Sequence, residues 1–586
     1  MSSANNSGDQ RASRPELRPV GTRAWLVDLP DLDTVMTWHA HLSEHPLPGQ
    51  EEAIAAARTV LVLFATRKHT IQAKPLLESL APQSLQATDS RTVSIDVIYD
   101  GEDLEQVASL LGISATELVE RHTQQEWKAS FGGFAPGFTY CVPAGDDFSW
   151  DIPRLEKPRT AVPSGAVGLA GNFSAVYPRT SPGGWQLIGH TETKMWNTTA
   201  NPPALLQPGD SVSYRAVREN IELQDTPAAS DEASSTASTP ASASESTSTP
   251  LAPARPAFTV DNPGMQTLLE DTGRGGYGDM GVNRSGAADR TSAWVANDVV
   301  GNAGNAAVLE NIGGLTLHAT TDVVVCATGA EATLKVQDQT HPLAIPVLVR
   351  AGQSISLTPA NAPHTGLRHY LAARGGFVAS TVLESASTDV LSGLGPAPVQ
   401  KADVLKIGHR AAPRAIGEPA INPLRSSREL RCIPGPRDNW FNSEEFSKFC
   451  TRDWIVSGQS NRVGLRLELP RGDRGGVEKE DAENKGLQRS HEGELASEGM
   501  VSGCVQVPPN GLPVVFLADH PVTGGYPVIA TVISEDLDIA GQLAPGETVR
   551  FVPVDPDTLA PTDTATDPSA ENSTTAENTA PAGEKS

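Results

Sequence analysis

A glycine-rich loop in the second half of the chain carries the side chains best suited to chemistry. From Pro263 to Asp289, glycines are interspersed with charged, hydroxyl and aromatic residues. Glycine lets the backbone turn tightly, so side chains and N–H groups on such a loop can converge on a small ligand. The candidates are Asp271, Arg274, Tyr277, Ser285 and Asp289. We expect a small-molecule site here, with Asp271 and Arg274 in catalytic roles.

Further cations and an acid follow later in the chain. Arginine can bind two oxygens of a carboxylate or phosphate at once, and Arg437, Arg462 and Arg466 supply such groups. Asp271 or Asp519 could hold a metal ion on ATP or polarise a substrate amide, so we predict Asp519 as catalytic too. The alternative is that these residues brace turns as partly exposed ion pairs. For the set we favour function, because the polar groups gather on loops, where sites form.

Two turns in the first half place proline and glycine beside an aromatic ring. They are Phe134-Ala-Pro-Gly-Phe138 and Ser181-Pro-Gly-Gly-Trp185. In such turns backbone N–H groups can face a cavity whose floor is the ring. Composition alone slightly favours two ordinary barrel turns with core aromatics. The candidate binding residues are Phe134, Gly137, Gly183, Gly184 and Trp185.

The elements that must position these loops are mostly short strands. Between 131 and 191, brief apolar runs are separated by glycine and proline, which predicts a small barrel of strands and tight turns. Ahead of it, strands are predicted at 23–29, 58–65 and 92–99, with helices at 31–45 and 75–80. A capping box at Ser114 predicts another short helix that ends near His122. The N-terminal part is therefore predicted to be a small α+β module.

Composition narrows the range of partners. The chain has 586 residues, enough for several domains, and its net charge of -25 argues against nucleic acid and anionic membrane as partners. Five scattered cysteines without zinc spacing predict reduced thiols and no metal site. The N-terminus has no apolar leader and no run is long enough to span a bilayer, so we expect a cytoplasmic protein.

Segments of biased composition divide the chain. Residues 221–256 are almost wholly Ser, Thr, Ala, Pro and Glu, which predicts a disordered linker that tethers two halves. A charged insert at 471–498 lacks periodicity, and disorder is predicted for 1–20 and for the acidic tail 556–586. The predicted domains are the α+β module at 21–100, a barrel at 101–220 and a second folded region at 257–555.

The order of motifs in the first half resembles a known family. GFAPGFTY at 133–140, PR-x-x-VPSG at 158–165 and YP-x-x-SPGGW at 177–185 follow one another within about sixty residues. They resemble the allophanate hydrolase subunit 1 family, which is also called the Kip-type family or the family of the 5-oxoprolinase B component. This family is related to the carboxyltransferase portion of urea amidolyase. The resemblance adds Arg159 to the candidate binding residues.

The second half resembles the companion family, which is named allophanate hydrolase subunit 2 or the 5-oxoprolinase C component. The match includes Gly281-Val-Asn-Arg-Ser285, Ser385-Ala-Ser-Thr-Asp389 and Pro434-Gly-Pro-Arg437. It ends with the motif Ala518-Asp-His-Pro-Val-Thr-Gly-Gly-Tyr526. This motif adds Thr523, Gly524 and Tyr526 to the candidate binding residues.

Three histidines bear on the resemblance. His122 stands in the place of a His-Thr pair of the first family, although a histidine after a helix is more often structural. His190 replaces an arginine expected before the threonine of a Gly-Arg-Thr motif, which makes any cationic role pH-dependent. His520-Pro521 replaces Arg-Gln in the last motif and so removes a possible cation. His122 and His190 are retained as candidate binding residues.

The resemblance implies a fused B and C component of 5-oxoprolinase, with cyclophilin-like barrels in both halves. Such an enzyme opens the lactam of 5-oxoproline to L-glutamate at the expense of ATP and Mg²⁺, and a separate A-type protein cooperates in ring opening. Phosphorylation of the lactam oxygen would turn a poor leaving group into a good one, which requires cations and backbone N–H groups around the developing charge. The chain alone is expected to be inactive.

Two other functions remain open at this point. A carboxyltransferase component would pass a carboxyl group from biotin on another protein to an amide such as urea, and a Kip-type protein would restrain a sensor histidine kinase. The chain has no P-loop motif and no Met-Lys-Met biotinylation site. Any ATP site is therefore of another kind, and a complete urea carboxylase is excluded. The number of copies that assemble is left open, with a homo-oligomer among the alternatives.

Overall fold

A computed structural model describes residues 15–82, 91–145, 150–218, 254–408, 414–424, 427–470, 485–491, 493 and 495–562. In these residues strands predominate, and closed or nearly closed barrel sheets occur in both halves. This confirms the mainly β fold with α+β parts that the sequence predicts. None of the helices in the described ranges is long and apolar enough to cross a membrane.

The N-terminal module is a four-stranded antiparallel sheet with two helices on it. The sheet order is β1-β2-β4-β3. Asp31 caps the first helix by accepting a hydrogen bond from the Thr34 N–H at 2.8 Å, and Val35, Trp38 and Leu42 bury its inner face. The elements are β1 (Glu16–Val20), β2 (Ala24–Asp28), α1 (Leu32–Glu44), β3 (Gln50–Ala55), β4 (Thr59–Phe64) and α2 (Arg67–Ser79).

The first barrel is a seven-stranded sheet in the order β12-β9-β10-β7-β6-β13-β5, with a separate β11-β8 pair. Ser114 caps its second helix by accepting from the Glu117 N–H at 3.1 Å, as the capping box predicts. The elements are β5 (Thr92–Val97), α3 (Leu104–Leu111), α4 (Ala115–Gln124), β6 (Trp127–Gly132), β7 (Thr139–Pro143), β8 (Arg159–Val162), β9 (Ala166–Ala170), β10 (Phe173–Val176), β11 (Ser181–Gly183), β12 (Gln186–His190) and β13 (Ser211–Ala216).

The second half opens with two sheets that share one apolar core. One has the order β20-β19-β22-β17-β14-β25-β24 and the other β15-β16-β23-β18-β21. The elements are β14 (Ala254–Asn262), β15 (Gln266–Glu270), α5 (Arg290–Val299), β16 (Val308–Ile312), β17 (Leu315–Ala319), β18 (Val323–Gly329), β19 (Ala332–Val336), β20 (Gln339–His341), β21 (Val347–Val349), β22 (Ser354–Pro359), β23 (His369–Ala373), β24 (Phe377–Val378) and β25 (Val404–Gly408).

The chain closes with a barrel in the order β26-β33-β30-β31-β28-β27-β34, and β29 pairs with β32 beside it. All five cysteines are buried free thiols, as expected. The elements are β26 (Glu429–Pro434), α6 (Ser443–Thr451), β27 (Trp454–Val456), β28 (Gly464–Glu468), β29 (Glu498–Gly499), β30 (Cys504–Gln506), β31 (Val514–Phe516), β32 (Thr523–Gly524), β33 (Val528–Val532), α7 (Leu537–Gln542) and β34 (Thr548–Pro553).

The N-terminal module packs directly on the C-terminal barrel. Val20, Leu26 and Leu61 of the module form one buried apolar cluster with Cys504 and Val528 of the barrel. The two halves are also joined by backbone contacts, since the Gly137 N–H donates to the Met280 carbonyl at 2.9 Å. The halves are therefore in contact at more than one place, so residues of both can line one site.

Several predicted borders differ from the structure. The predicted disordered start, 1–20, contains strand β1, which is ordered because it pairs with β2 and buries Val20 on the distant C-terminal barrel. Residues 1–14 lie outside the described residues. Strand β5 belongs to the first barrel through its parallel pairing with β13, so the α+β module ends earlier than predicted. Strand β14 begins inside the predicted linker, where it pairs with β17 and β25. The rest of that linker, 221–253, lies outside the described residues.

The later border predictions also need correction. Leu487, inside the predicted solvated insert, is buried in the core of the closed barrel, and Glu498 begins β29. Residues 556–562 fold back, so that Val554 bridges Pro561. Helix α2 starts at Arg67 and contains Pro75, whereas the sequence pattern predicted a shorter helix from Pro75. Residues 471–484 and 563–586 lie outside the described part of the chain.

Candidate functional site

A cavity of about 360 Å³ lies between the N-terminal module, the glycine-rich loop and the C-terminal barrel. The β1–β2 turn and strand β3 form one wall, residues 275–290 form the second, and residues 500–502 with 520–522 form the third. Ile54, Met500 and Val522 supply an apolar floor. Its size suits a compact small molecule.

Three arginines line this cavity. Arg23 and Arg284 both contact Glu51 Oε2, at 3.1 and 3.2 Å. Arg290 lies at the start of α5, and its guanidinium has no carboxylate partner within salt-bridge distance in the described residues. Glu51 therefore forms ion pairs with Arg23 and Arg284, whereas Arg290 forms none in the described residues. The cavity carries a local positive excess in a chain of net charge -25, which suits an anionic group on a ligand.

Glu52 brings a second carboxyl group to the cavity wall. Its Oε1 accepts a hydrogen bond from the Gly278 N–H on the facing loop. A Cβ atom on residue 278 would lie 2.7 Å from that oxygen, so glycine is needed for the approach. Burial raises the pKa of Glu52 to about 7, against the opposing effect of the Gly278 N–H, and the nearby Asp279 carboxylate raises it as well. Glu52 can therefore gain or lose a proton near neutral pH.

Asn283 and His520 form the polar end of the cavity. The Asn283 Nδ2 donates to the His520 carbonyl at 2.5 Å, while its buried Oδ1 has no partner among the described residues. An unpaired buried acceptor is costly, and a ligand N–H would satisfy it. Burial lowers the pKa of His520 to about 4, so this side chain is neutral at pH 7. Gly275 and Gly276 leave their backbone open, because an added Cβ on either would meet nothing within 4 Å.

A sealed ion cluster lies beside the cavity, behind the same loop. Arg462 donates to both oxygens of Asp519, at 2.8 and 2.9 Å, and to Glu310 Oε1 at 2.7 Å. The Ser285 hydroxyl donates to Asp519 at 2.7 Å. Burial alone would raise the pKa of Glu310, but the charges of Arg462 and Arg368 outweigh it and lower that pKa. All of these side chains are buried, so the cluster holds the loop in place and is closed to solvent.

Comparison with known proteins identifies the architecture. The carboxyltransferase domain, subdomain A and B, matches residues 280–553, and the carboxyltransferase domain, subdomain C and D, matches residues 15–206. The C-type subunit of 5-oxoprolinase from Escherichia coli (strain K12) is 33% identical over 293 residues, 49% of this chain and 88% of that protein. The chain belongs to this carboxyltransferase family.

The first half matches the companion protein of that enzyme. The B-type subunit of 5-oxoprolinase from Bacillus subtilis (strain 168) is 36% identical over 196 residues, 31% of this chain and 81% of that protein. The urea amidolyase of Saccharomyces cerevisiae is 28% identical over 317 residues, 51% of this chain but only 17% of that protein. The solved structure of TTHA0988 covers 90% of this chain and 99% of its own, with 30% identity and a TM-score of 0.72. This chain is therefore a fusion of the B and C types, as the motifs predicted.

None of the residues predicted from the sequence lines the cavity of this carboxyltransferase chain, although several are its neighbours. Tyr277, Ser285 and Asp289 each precede or follow a lining residue in the sequence. Asp289 instead caps α5, where its carboxylate accepts from the Ser292 N–H at 2.9 Å, and burial raises its pKa to about 6. The predicted loop is thus at the cavity, but Ser285 and Asp289 are buried inside the fold.

The predicted catalytic residues support loops in the structure. Asp271 accepts hydrogen bonds from the Ser385 and Ser387 hydroxyls at 2.7 and 2.6 Å. Arg274 is buried and donates to the Val382 and Ser387 carbonyls. Asp519 belongs to the sealed cluster described above. Their catalytic roles stay predictions. Asp271 and Arg274 do brace loops, but through hydrogen bonds to hydroxyl and carbonyl groups rather than through the partly exposed ion pairs of the alternative.

The aromatic turns of the first half form packed core and a contact between halves. Trp185 is buried against Phe138 and Tyr140. The Phe134 N–H donates to the Thr523 hydroxyl at 3.2 Å, which joins the first barrel to strand β32. Added side chains would collide with neighbours at three predicted glycines: with Met195 at Gly137, with Tyr177 at Gly183 and with Gln506 at Gly524. At Gly184 an added Cβ would only touch Pro158, in ordinary contact.

Other candidates are held by partners elsewhere. His122 is buried among aromatic rings, where its Nδ1 meets the Tyr99 hydroxyl at 2.7 Å and burial lowers its pKa to about 3. Arg159 pairs with Asp103 at 2.8 Å and His190 with Asp100 at 2.7 Å. Arg437 donates to Asp28 of the other half and to Glu498 of its own half. Tyr526 is partly exposed under Arg489, and Arg466 is exposed.

The cavity residues that the sequence pattern missed have little local signature. Arg23, Glu51 and Glu52 lie on ordinary strands and turns of the α+β module, which drew no functional prediction. Asn283, Arg284 and Arg290 stand beside predicted residues of the loop, so an expectation for the whole loop would have included them. In the described ranges no three His, Cys, Asp or Glu side chains are grouped to hold a metal ion.

Proposed function

We propose that this chain is the B and C component of an ATP-dependent 5-oxoprolinase, which acts on the lactam of 5-oxoproline with a separate A-type protein. The observation that carries the proposal is the cavity between the halves, which is lined by three arginines and by Asn283, whose buried Oδ1 has no partner in the described residues. 5-Oxoproline has one carboxylate and one secondary amide, which match these two features.

The arginines would hold the substrate carboxylate. Arg290 has no carboxylate partner in the described residues. Arg23 and Arg284 share one carboxylate partner there, Glu51. A charge-assisted hydrogen bond to a carboxylate contributes about 1.5–3 kcal/mol, enough to select an anionic substrate over a neutral one. Urea has no carboxylate to offer these groups. The cation excess therefore favours 5-oxoproline over urea.

The amide of the lactam would face the other end of the cavity. Asn283 Oδ1 would accept from the lactam N–H, and the Gly275 N–H on the open loop would donate to the oxygen as charge develops there. ATP would supply the phosphoryl group that activates this oxygen. The arginines fit the phosphate end of a nucleotide, and Mg²⁺ would arrive with ATP, since no metal-ligand group is found in the described residues.

A second candidate is a carboxyltransferase component that carboxylates an amide. Both matching domains bear the name of a carboxyltransferase domain, and urea amidolyase is among the similar proteins. In that reaction the arginines would hold the carboxyl group in transfer. A biotinylated protein would be required as its donor.

Calorimetry on the full chain separates these functions. We expect 5-oxoproline to bind at least about tenfold more tightly than 2-pyrrolidinone, the same lactam without a carboxylate, and Arg290→Gln to remove most of that difference. The matched control is Arg350→Gln, an exposed arginine that pairs with Asp322 away from the cavity. Glutamate release that requires both ATP and the A-type protein completes the test. Turnover of urea with a biotinylated carrier, and none of 5-oxoproline, would refute the proposal.

A further inference from the structure

We propose that Glu52 is the base that takes the proton from the amide nitrogen of the substrate. This inference rests on the proposed function only in requiring an amide substrate, because lactam activation and amide carboxylation both need the nitrogen to lose its proton. The N–H bond breaks, an O–H bond forms on Glu52, and the electron pair stays on nitrogen. An amide N–H is a very weak acid, so this transfer accompanies bond formation at the amide oxygen or nitrogen.

Glu52 lies on the cavity wall, where a bound substrate would be. Its side chain lines the same cavity as Asn283, whose Oδ1 would accept the single lactam N–H of the bound substrate before that proton passes to Glu52. Its Oε1 is fixed by the Gly278 N–H, so the carboxyl group is oriented before a substrate binds. The Gly276 N–H also hydrogen-bonds to this carboxyl group, and the two bonds still leave acceptor capacity on the carboxylate for a proton.

The charges around Glu52 act on its proton affinity in opposite directions. Asp279 on the facing loop disfavours ionisation and Arg284 favours it, and burial decides the balance. His39 on α1 holds Asp279 through Nε2 at 2.9 Å. Glu51 on the same strand is occupied by Arg23 and Arg284, and Arg290 and the neutral His520 complete the wall. A carboxyl group so placed is partly ionised at pH 7 and suits general base catalysis.

The alternative is that Glu52 only anchors the loop at Gly278. Glu52→Gln separates the two roles, because the glutamine Oε1 can still accept from that N–H but can no longer take a proton. If Glu52 is the base, Glu52→Gln should lower kcat, measured with ATP and the A-type protein, by about 100-fold or more, while KM changes less than about threefold. Glu52→Asp should recover part of the activity together with its dependence on pH. Glu44→Gln, an exposed glutamate at the end of α1, is the control and should behave as wild type.

A measurement without turnover completes the test on the full chain. Infrared difference spectra between pH 5 and 9 should show a carboxyl group that titrates near pH 7 and disappears in Glu52→Gln. Retention of wild-type kcat and of the acidic limb of the pH profile in Glu52→Gln would overturn the proposal, and so would a Glu52 already ionised at pH 5. If wild type turns over urea but not 5-oxoproline, the proposed function fails. The role of Glu52 is then tested by comparing kcat for urea between wild type and Glu52→Gln. If wild type turns over neither substrate, an infrared titration near pH 7 that Glu52→Gln removes supports the proposal, and a Glu52 already ionised at pH 5 overturns it.

Discussion

The sealed ion cluster and the cavity lie on opposite sides of one glycine-rich loop and use the same residue types differently. In the cluster, the guanidinium of Arg462 bonds to both Asp519 and Glu310, and all three side chains are buried. In the cavity, two of three arginines share Glu51, and an amide oxygen is left without a partner in the described residues. Every guanidinium nitrogen of Arg462 is thus bonded, although the buried Glu270 carboxyl group 3.4 Å away accepts no hydrogen bond in the described residues. The cavity arginines share a single carboxylate and so keep donors for a ligand.

This difference explains why the dense motifs did not identify the residues that line the cavity. Motif residues such as Asp519 and Arg462 are constrained by several partners at once, and they fix the shape of the loop. The groups that face the cavity are their sequence neighbours, His520 among them. A loop can thus be recognised from its sequence while the side chains that face the ligand are not.

The largest expected effect comes from breaking the cluster. Arg462→Met removes the cation that neutralises Asp519 and Glu310, which leaves buried carboxylates uncompensated. The free energy of unfolding should fall by about 3–5 kcal/mol in urea denaturation at pH 7. Arg466→Met, an exposed arginine on the adjacent strand β28, should change it by less than about 0.5 kcal/mol. Equal effects of the two variants would contradict the sealed character of the cluster.

The next effect is a pH dependence that belongs to the cavity. The pKa of Glu52 is raised from 4.5 to about 7, so the unfolded chain releases this proton at lower pH than the folded chain. Stability from this group is present below pH 4.5 and is lost as pH rises through 7. The loss should be about 1–3 kcal/mol, given that the side chain is not fully buried.

Comparison with Glu52→Gln isolates this contribution from other titrating groups. The unfolding free energy of wild type minus that of the variant should decrease between pH 4.5 and 7.5. The measurement is urea denaturation of both proteins across that range. A difference that rises with pH would show that Glu52 is stabilised as a carboxylate, contrary to the structure.

Local sequence predicted the fold better than the site. The helix period of α1, its cap and the capping box at Ser114 involve residues three or four positions apart, so short segments contain the whole interaction. Glycine and proline spacing likewise predicted short strands and barrels. The borders failed where a strand depends on a distant partner, as when β1 packs on the C-terminal barrel.

The cavity could not be predicted because its contacts span the chain. Glu52 and Gly278 are separated by 226 positions, and nothing in the strand Gln50–Ala55 distinguishes Glu52 from Glu51. Only the docking of the two halves gives one of these carboxyl groups a buried environment. The family resemblance predicted two barrels and their pairing, but the cavity residues come from the surfaces where the halves meet.

The smallest expected effect tests that docking directly. Thr523→Val removes the hydroxyl that accepts the Phe134 N–H at 3.2 Å, while the branched shape of the side chain is kept. A lost hydrogen bond of this kind should cost about 1 kcal/mol of unfolding free energy. Thr523→Ser keeps the hydroxyl and should retain that contact, so the Ser variant serves as the control. Because the contact joins the halves but touches neither the cavity nor the cluster, ligand affinity should weaken less than about threefold; a larger loss with unchanged stability would mean that Thr523 itself contacts the ligand.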